Sequence, residues 1–462
     1  MTDQEILSFF GENRTLFSDY YLRERLDTLG EWDQDISEPF RKALELYQDK
    51  KSVLPGMNEA QTENEFIQPM LEQVLGFSYD VQKAEKKQGR TNIPDYILFG
   101  DQDALVNAQA NRDNDSYYND SLALSDAKYW ERPLDSKGVA DKDRFTNANP
   151  SFQIVNYLMV TGLEWGILTN GSQWRLYSTK ARSRIDSYFE VDLKQILEKE
   201  DAQQFRYFYH FFSRRAFEVD PQTGYNFVER VFQGSIDYGS RLEKRLKNLI
   251  FEDVFLKLSK GFVHYRSEEE GISGETDESL QQIYQGTLRL LYRLLFLLHA
   301  ESRSLLPLDN KGYLQYSLME LKKNIADRMD EDRPQSSRSF DVWNDLDSLF
   351  HIIDKGDPDL NVPRYNGGLF RRDHPNNQFL ADHKISDKFL VPALELLTRE
   401  TEADKSGHKP FIDYKSLNVE QLGSIYEGLL EFHLRQADDS NSDRKKLYLE
   451  NDKGERKATG SY

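Results

Sequence analysis

The feature that most constrains how this chain folds is a change in the spacing of its apolar residues near residue 195. Before that point they come in short runs punctuated by turn residues. IPDYILFG (Ile93 to Gly100), SLALSDAKYW (Ser121 to Trp130), WGILTNGSQWRLYS (Trp165 to Ser178) and DSYFEVDL (Asp186 to Leu193) read as strands, with a hairpin turn at Asn170-Gly171. Helices are predicted from about Thr62 to Leu75, ending at Gly76, and from Asn149-Pro150 to about Thr161, with Asn149 as N-cap and Pro150 at the first helical position. Residues 62–193 thus alternate helix, strands, helix, strands, the pattern of an α/β domain with a mixed sheet flanked by helices. Residues 101–120, rich in Asp and Asn, are expected to form a loop inserted between strands.

Beyond residue 195 the apolar residues recur at helical spacing, at about 200–214, 226–260, 278–301, 313–328, 339–354, 386–399 and 417–435. This predicts a mostly α-helical second domain, with polar links at 262–277 and 329–338. Upstream, a helix is expected from Ser37 to Lys50 and a Pro/Gly-containing link over 51–61. The expected organisation is an N-terminal helical segment (1–50), an α/β domain (51–195), a helical domain (196–435) and a polar linker (436–462).

With 462 residues, 38% of them apolar, the chain can build two or three cores. It contains no Cys, which excludes disulfides and thiolate metal sites and points to a reducing, cytoplasmic setting. The most apolar run, Leu288 to Leu298, is broken by Arg289 and Arg293 and is too short to span a bilayer, so no membrane association is expected. A net charge of −19 argues against a general affinity for nucleic acid. Two local basic clusters nevertheless offer candidate DNA contacts: Lys83, Lys86, Lys87 and Arg90, then Lys180, Arg182 and Arg184. The bland reading of both is a solvated surface.

The residues that suggest chemistry lie in the α/β segment. Asp126 and Lys128 are two apart on a predicted strand and so share a face, as do Gln153 and Tyr157 on a predicted helix. Asp95 opens another apolar strand. Two carboxylates and an ammonium in one small space suit phosphodiester hydrolysis. Asp95 and Asp126 can each give a carboxylate oxygen to Mg²⁺, the backbone carbonyl of Ala127 is a candidate third ligand, and Lys128 can orient water or hold an anionic transition state. Glu65, with Glu63 as the alternative, is expected to reach the metal through a water or to tune Lys128. Each element alone is weak, since exposed Asp-x-Lys triplets are common in a chain that is 30% charged. Their order is what carries weight.

That order resembles the PD-(D/E)xK nuclease superfamily, in the version found in type I restriction subunits and at the N-terminus of type IIG restriction-modification enzymes. The resemblance puts the family's helix Glu on Glu65, its PD aspartate on Asp95, its (D/E)xK on Asp126 and Lys128, and the QxxxY helix of the RecB-like branch on Gln153 and Tyr157, which would brace the site or touch DNA. Two departures stand out: Asp replaces the commoner Glu at 126, and the span from Asp95 to Asp126 is long, so residues 101–120 must be inserted between paired strands. Downstream, Tyr365-Asn-Gly-Gly-Leu-Phe370 and Leu422 to Phe432 resemble segments of type IIG helical connectors, and Arg456 to Tyr462 resembles the approach to their methyltransferase domain. The bland readings are a turn and a buried helix face. The resemblance implies a Mg²⁺-dependent endonuclease acting on double-stranded DNA in phage defence, working with a methyltransferase or specificity domain or subunit.

No Gly-rich loop for S-adenosylmethionine and no Asn/Asp-Pro-Pro-aromatic pocket occurs, so the resemblance implies that cofactor only for the family's methyltransferase domain, which is expected to be absent from this chain; Asn149-Pro-Ser-Phe152 only mimics the second motif. No P-loop is present, and the eight His are scattered without metal-ligand spacing. The alternative reading is a catalytically silent scaffold or truncated remnant that needs a separate modification and recognition partner.

Overall fold

The structure is a computed structural model that describes residues 12–81, 93–112, 114–136, 149–365, 367–403, 407–437, 446–451 and 456–457. The chain divides into two compact units, Met1–Asp237 and Tyr238–Tyr462.

The first unit is built on a seven-stranded sheet of order β1-β7-β6-β5-β4-β3-β2. The strands are β1 (Asn13–Arg14), β2 (Ser78–Val81), β3 (Tyr96–Phe99), β4 (Ser121–Ala127), β5 (Trp165–Thr169), β6 (Gln173–Ser178) and β7 (Tyr188–Asp192). Among these strands only β4 and β5 pair in parallel. The helix Pro150–Thr161 makes the crossover between them, as a parallel pair requires. All other neighbours are antiparallel, including β5 and β6, joined at Asn170-Gly171. The sheet is thus mixed and flanked by helices.

Side-chain alternation divides the strands between two cores. On one face Ile97, Leu124, Leu168, Tyr177 and Tyr188 pack against Ile154, Tyr157 and Leu158 of the crossover helix. On the other, Tyr96, Leu98, Ala123, Trp165, Ile167, Trp174 and Leu176 pack with Phe66, Ile67 and Met70, and with Phe205, Phe208, Phe211 and Phe212 of the helix Ala202–Phe212. That aromatic helix lies past residue 195 but closes the sheet. Likewise, β1 and the helix Ser37–Lys50 belong to this unit, where Ala43 and Tyr47 join the second core.

Residues 101–120 are not a plain loop. Asp101 caps a helix, Gln102–Ala110, whose Leu105 and Ala108 are buried. This insertion is tied down by Asp80 on β2, which accepts from Tyr117 Oη at 2.7 Å, Gln109 Nε2 at 3.1 Å and Arg112. The polar Asp/Asn content hid this because the helix buries only one narrow apolar edge.

In the second unit the helices include Asp277–Ser302, Leu318–Asp330, Asp341–Lys355, Asp387–Thr398 and Val419–Leu430. The stretch 417–435 does not stay helical: it leaves its helix at Leu430 and becomes β8 (Phe432–Ala437), which pairs with β9 (Lys446–Asn451), itself paired with β10 (Arg456–Lys457). Alternating burial of Phe432 and Leu434 is a strand pattern too short to stand out after a strong helical one. In the connector-like segment, Asn366 lies outside the described residues; Asn377 Nδ2 donates to the carbonyls of Gly368, Leu369 and Arg371, and Phe370 packs on Phe296 and Phe350. Among the described residues no helix is long and apolar enough to cross a membrane.

Candidate functional site

Strand register creates the site. β3 and β4 pair antiparallel, Tyr96 opposite Ser125 and Ile97 opposite Leu124. One step further along the same register, Asp95 faces Asp126, and opposed residues share a face. Asp95 is fixed there because its Oδ2 accepts from the backbone N–H of Ala127 at 2.8 Å. Lys128 extends β4 by donating its backbone N–H to Thr169 O at 2.8 Å. Its Nζ stands 2.5 Å from Asp126 Oδ2 and 4.0 Å from Asp95 Oδ2, and donates to Ala127 O at 3.0 Å. Sequence-distant Asp95, Asp126 and Lys128 therefore meet at the ends of two central strands, with residues 101–120 inserted between them.

The pair is desolvated, Asp126 being 1% exposed and Lys128 7%. Burial pushes the Asp126 carboxyl well above the usual carboxylate range; Asp95 adds to this and the Lys128 ammonium opposes it. For Lys128, burial favours the neutral amine, but Asp126, then Asp95 and Glu59, outweigh it and hold the ammonium above its ordinary value. Two carboxylates thus share one cation. Asp126 Oδ2, though beside the ammonium, accepts no well-angled hydrogen bond among the described residues.

The helix Pro150–Thr161 lies over this face. Its start is set by Asn149, whose side chain accepts from Ser151 N at 3.0 Å. It approaches the sheet closely over Gly166, where an added Cβ would stand 3.2 Å from Ile154 and 3.3 Å from Leu158. Gln153 and Tyr157 both belong to this helix. Gln153 Oε1 is buried with no hydrogen-bond partner among the described residues. The Tyr157 hydroxyl is held above its ordinary value, first by burial and then by Asp126, with smaller influences from Lys128, Asp95 and Glu59.

The structure assigns the acidic residues of the other helix differently from the expectation. Glu65 is half-exposed and pairs with Lys50 at 2.8 Å. Glu63 Oε2 accepts from the buried Tyr96 Oη at 2.6 Å, on the opposite face from Asp95. The carboxylate whose charge reaches Lys128 and Tyr157 is Glu59, the first residue of the helix Glu59–Thr62. This helix is tied to the turn after β4 by Trp130 N, which donates to Thr62 Oγ1 at 3.2 Å. The helix runs on through two π-helical stretches, Glu63–Ile67 and Met70–Val74, so a regular 3.6-residue wheel misplaces its acidic residues. The capping box of Asn58 and Gln61, which marks the helix start, was the available signal for Glu59.

The basic clusters divide. Lys83, Lys86, Lys87 and Arg90 lie outside the described residues. Lys180 is paired with Glu229 at 2.7 Å and Glu164 at 3.0 Å, so its charge is largely spent within the unit. Arg182 and Arg184 are exposed, Arg184 donating to Thr179 O at 3.1 Å.

The donor set fits a hard divalent cation. Asp95 and Asp126 would hold it, with the Ala127 carbonyl as a third oxygen once Lys128 yields its hydrogen bond there. Among the described residues no three acidic or imidazole side chains converge on one point. A two-carboxylate set completed by waters is the kind Mg²⁺ takes. Comparison of the chain with protein-family models, curated proteins and solved structures returned no match.

Proposed function

We propose that the first unit is a Mg²⁺-dependent endonuclease domain that hydrolyses phosphodiester bonds of double-stranded DNA, the nuclease module of a type IIG-like restriction-modification enzyme of the PD-(D/E)xK class. The observation that carries this is Asp95 facing Asp126 across paired strands with the Lys128 ammonium 2.5 Å from Asp126. Mg²⁺ bound there would supply Lewis-acid polarisation of the phosphoryl oxygens and ease deprotonation of water. Asp95 and Asp126 would hold the cation. Lys128, beside both carboxylates, would orient the attacking water and stabilise negative charge on the phosphoryl oxygens. Gln153, whose carboxamide oxygen has no partner among the described residues, and Tyr157 line the same face and position the incoming groups. The helical second unit is the connector toward a methyltransferase or specificity partner.

One observation favours the silent-scaffold alternative: Lys180, expected to contact DNA, is neutralised by Glu229 and Glu164. Incubation of the intact chain with supercoiled plasmid and Mg²⁺ separates the two. Nicking or linearisation that disappears in Lys128→Ala supports the nuclease; identical inert behaviour of both proteins supports the scaffold.

A further inference from the structure

A row of side chains crosses the sheet beneath the Gln153 helix. Register sets Asp126 beside Leu168, Leu168 beside Arg175, and Arg175 beside Glu190. Residues in such a row share a face, so Arg175 stands two strands from Asp126 on the same side, roughly 10 Å away at the usual strand spacing. Arg175 is buried, and every nitrogen of its guanidinium is engaged. Nη1 and Nη2 grip Asp135 at 2.6 and 2.8 Å, Nε donates to the buried Glu190, and Nη1 reaches Ser151 Oγ at 3.4 Å. The ring of Tyr188 lies beneath it at 4.2 Å.

Two segments meet on this group. Asp135 lies in the stretch that follows Lys128, and Ser151 lies in the first turn of the helix bearing Gln153 and Tyr157. They are cross-linked again: Ser151 Oγ donates to Leu134 O at 3.0 Å and accepts from Tyr177 Oη at 2.9 Å, and Asn149 Nδ2 donates to Asp135 O at 2.8 Å. A buried ion cluster is a poor device for stability alone, because desolvation offsets its attraction. What a forked guanidinium supplies is direction.

We infer that Arg175 is a positioning residue for the hydrolytic site, fixing through Asp135 and Ser151 the first turn of the Gln153 helix over Asp126. This rests on the nuclease reading. Arg175 touches no reacting atom.

The test uses the full chain carrying Arg175→Lys, which keeps the charge but loses the planar fork, and Asp135→Asn, at a side chain 56% exposed. Cleavage kinetics should show kcat down roughly tenfold or more with KM for DNA within about twofold, the mark of a misplaced group. Hydrogen exchange at residues 153–157 should quicken roughly tenfold while residues 66–74 stay protected. Unchanged kcat together with unchanged local exchange in both variants overturns the inference. So does uniform loss of protection with kcat unchanged where the protein remains folded, since that marks a purely structural role. Should wild type fail to cleave, the nuclease reading falls, and the exchange pattern alone decides whether Arg175 sets this helix.

Discussion

Replacing Lys128 by Met tests the electrostatics of the site without any assumption about substrate. The ammonium lies 2.5 Å from a carboxylate that is itself buried and 4.0 Å from that of Asp95. Met fills similar volume but strands Asp126, and removing one partner of a buried pair costs about 3–5 kcal/mol. Adding Asp126→Asn removes the stranded charge, so the double variant should recover about half or more of the loss, a coupling of about 2 kcal/mol or more. The pH dependence has a definite sign. An unfolded Asp ionises near pH ~3.9, whereas the folded Asp126 carboxyl is raised by burial, further still without Lys128. Between those values the native state binds more protons than the unfolded one, so its stability falls as pH rises. The Lys128→Met penalty should therefore be small near the ordinary carboxylate range and grow toward pH ~8. Urea unfolding followed by tryptophan fluorescence reads the first unit, which holds Trp32, Trp130, Trp165 and Trp174. A single-variant cost under about 1 kcal/mol at pH ~8, or a double variant no better than the single, would refute the reasoning.

Two further outcomes follow from the packing. Burial pushes His210, which stacks near Trp32, down to about 4, so the unfolded chain takes up this proton first and stability drops as pH falls from about 6.5 to about 4, by on the order of 3 kcal/mol; His210→Phe should flatten that part of the acid limb in urea midpoints measured against pH. Gly171 has φ +80° and an added Cβ would stand 2.7 Å from the Trp130 ring, so Gly171→Ala should lower stability by about 2–4 kcal/mol in the same assay.

Much of the site was legible because it rests on local rules. Alternation placed Asp126 and Lys128 on one face, Asn149-Pro150 marked the start of the Gln153 helix, and Asn170-Gly171 marked the hairpin that follows β5. What the residues could not give was long-range. Choosing Glu59 over Glu65 depends on the π-helical winding after Thr62 and on the bond from Trp130, neither of which has a periodic signature. Arg175 was invisible for the same reason: a lone Arg between Trp174 and Leu176 reads as an exposed strand residue until β7 and the segment bearing Asp135 close over it. The helix Ala202–Phe212 was recognised, but its membership in the first unit depends on which face its phenylalanines cover.

The central claim is that Asp95 and Asp126 together bind one hard cation. Calorimetric titration of the intact chain with Mn²⁺ is the direct measurement. One site is expected, with binding that tightens as pH rises, because protons compete with the cation for the two carboxylates. Binding should vanish in Asp95→Asn and in Asp126→Asn, weaken in Glu59→Gln and persist in Glu65→Gln. Equal Mn²⁺ affinity in wild type and Asp126→Asn would contradict it.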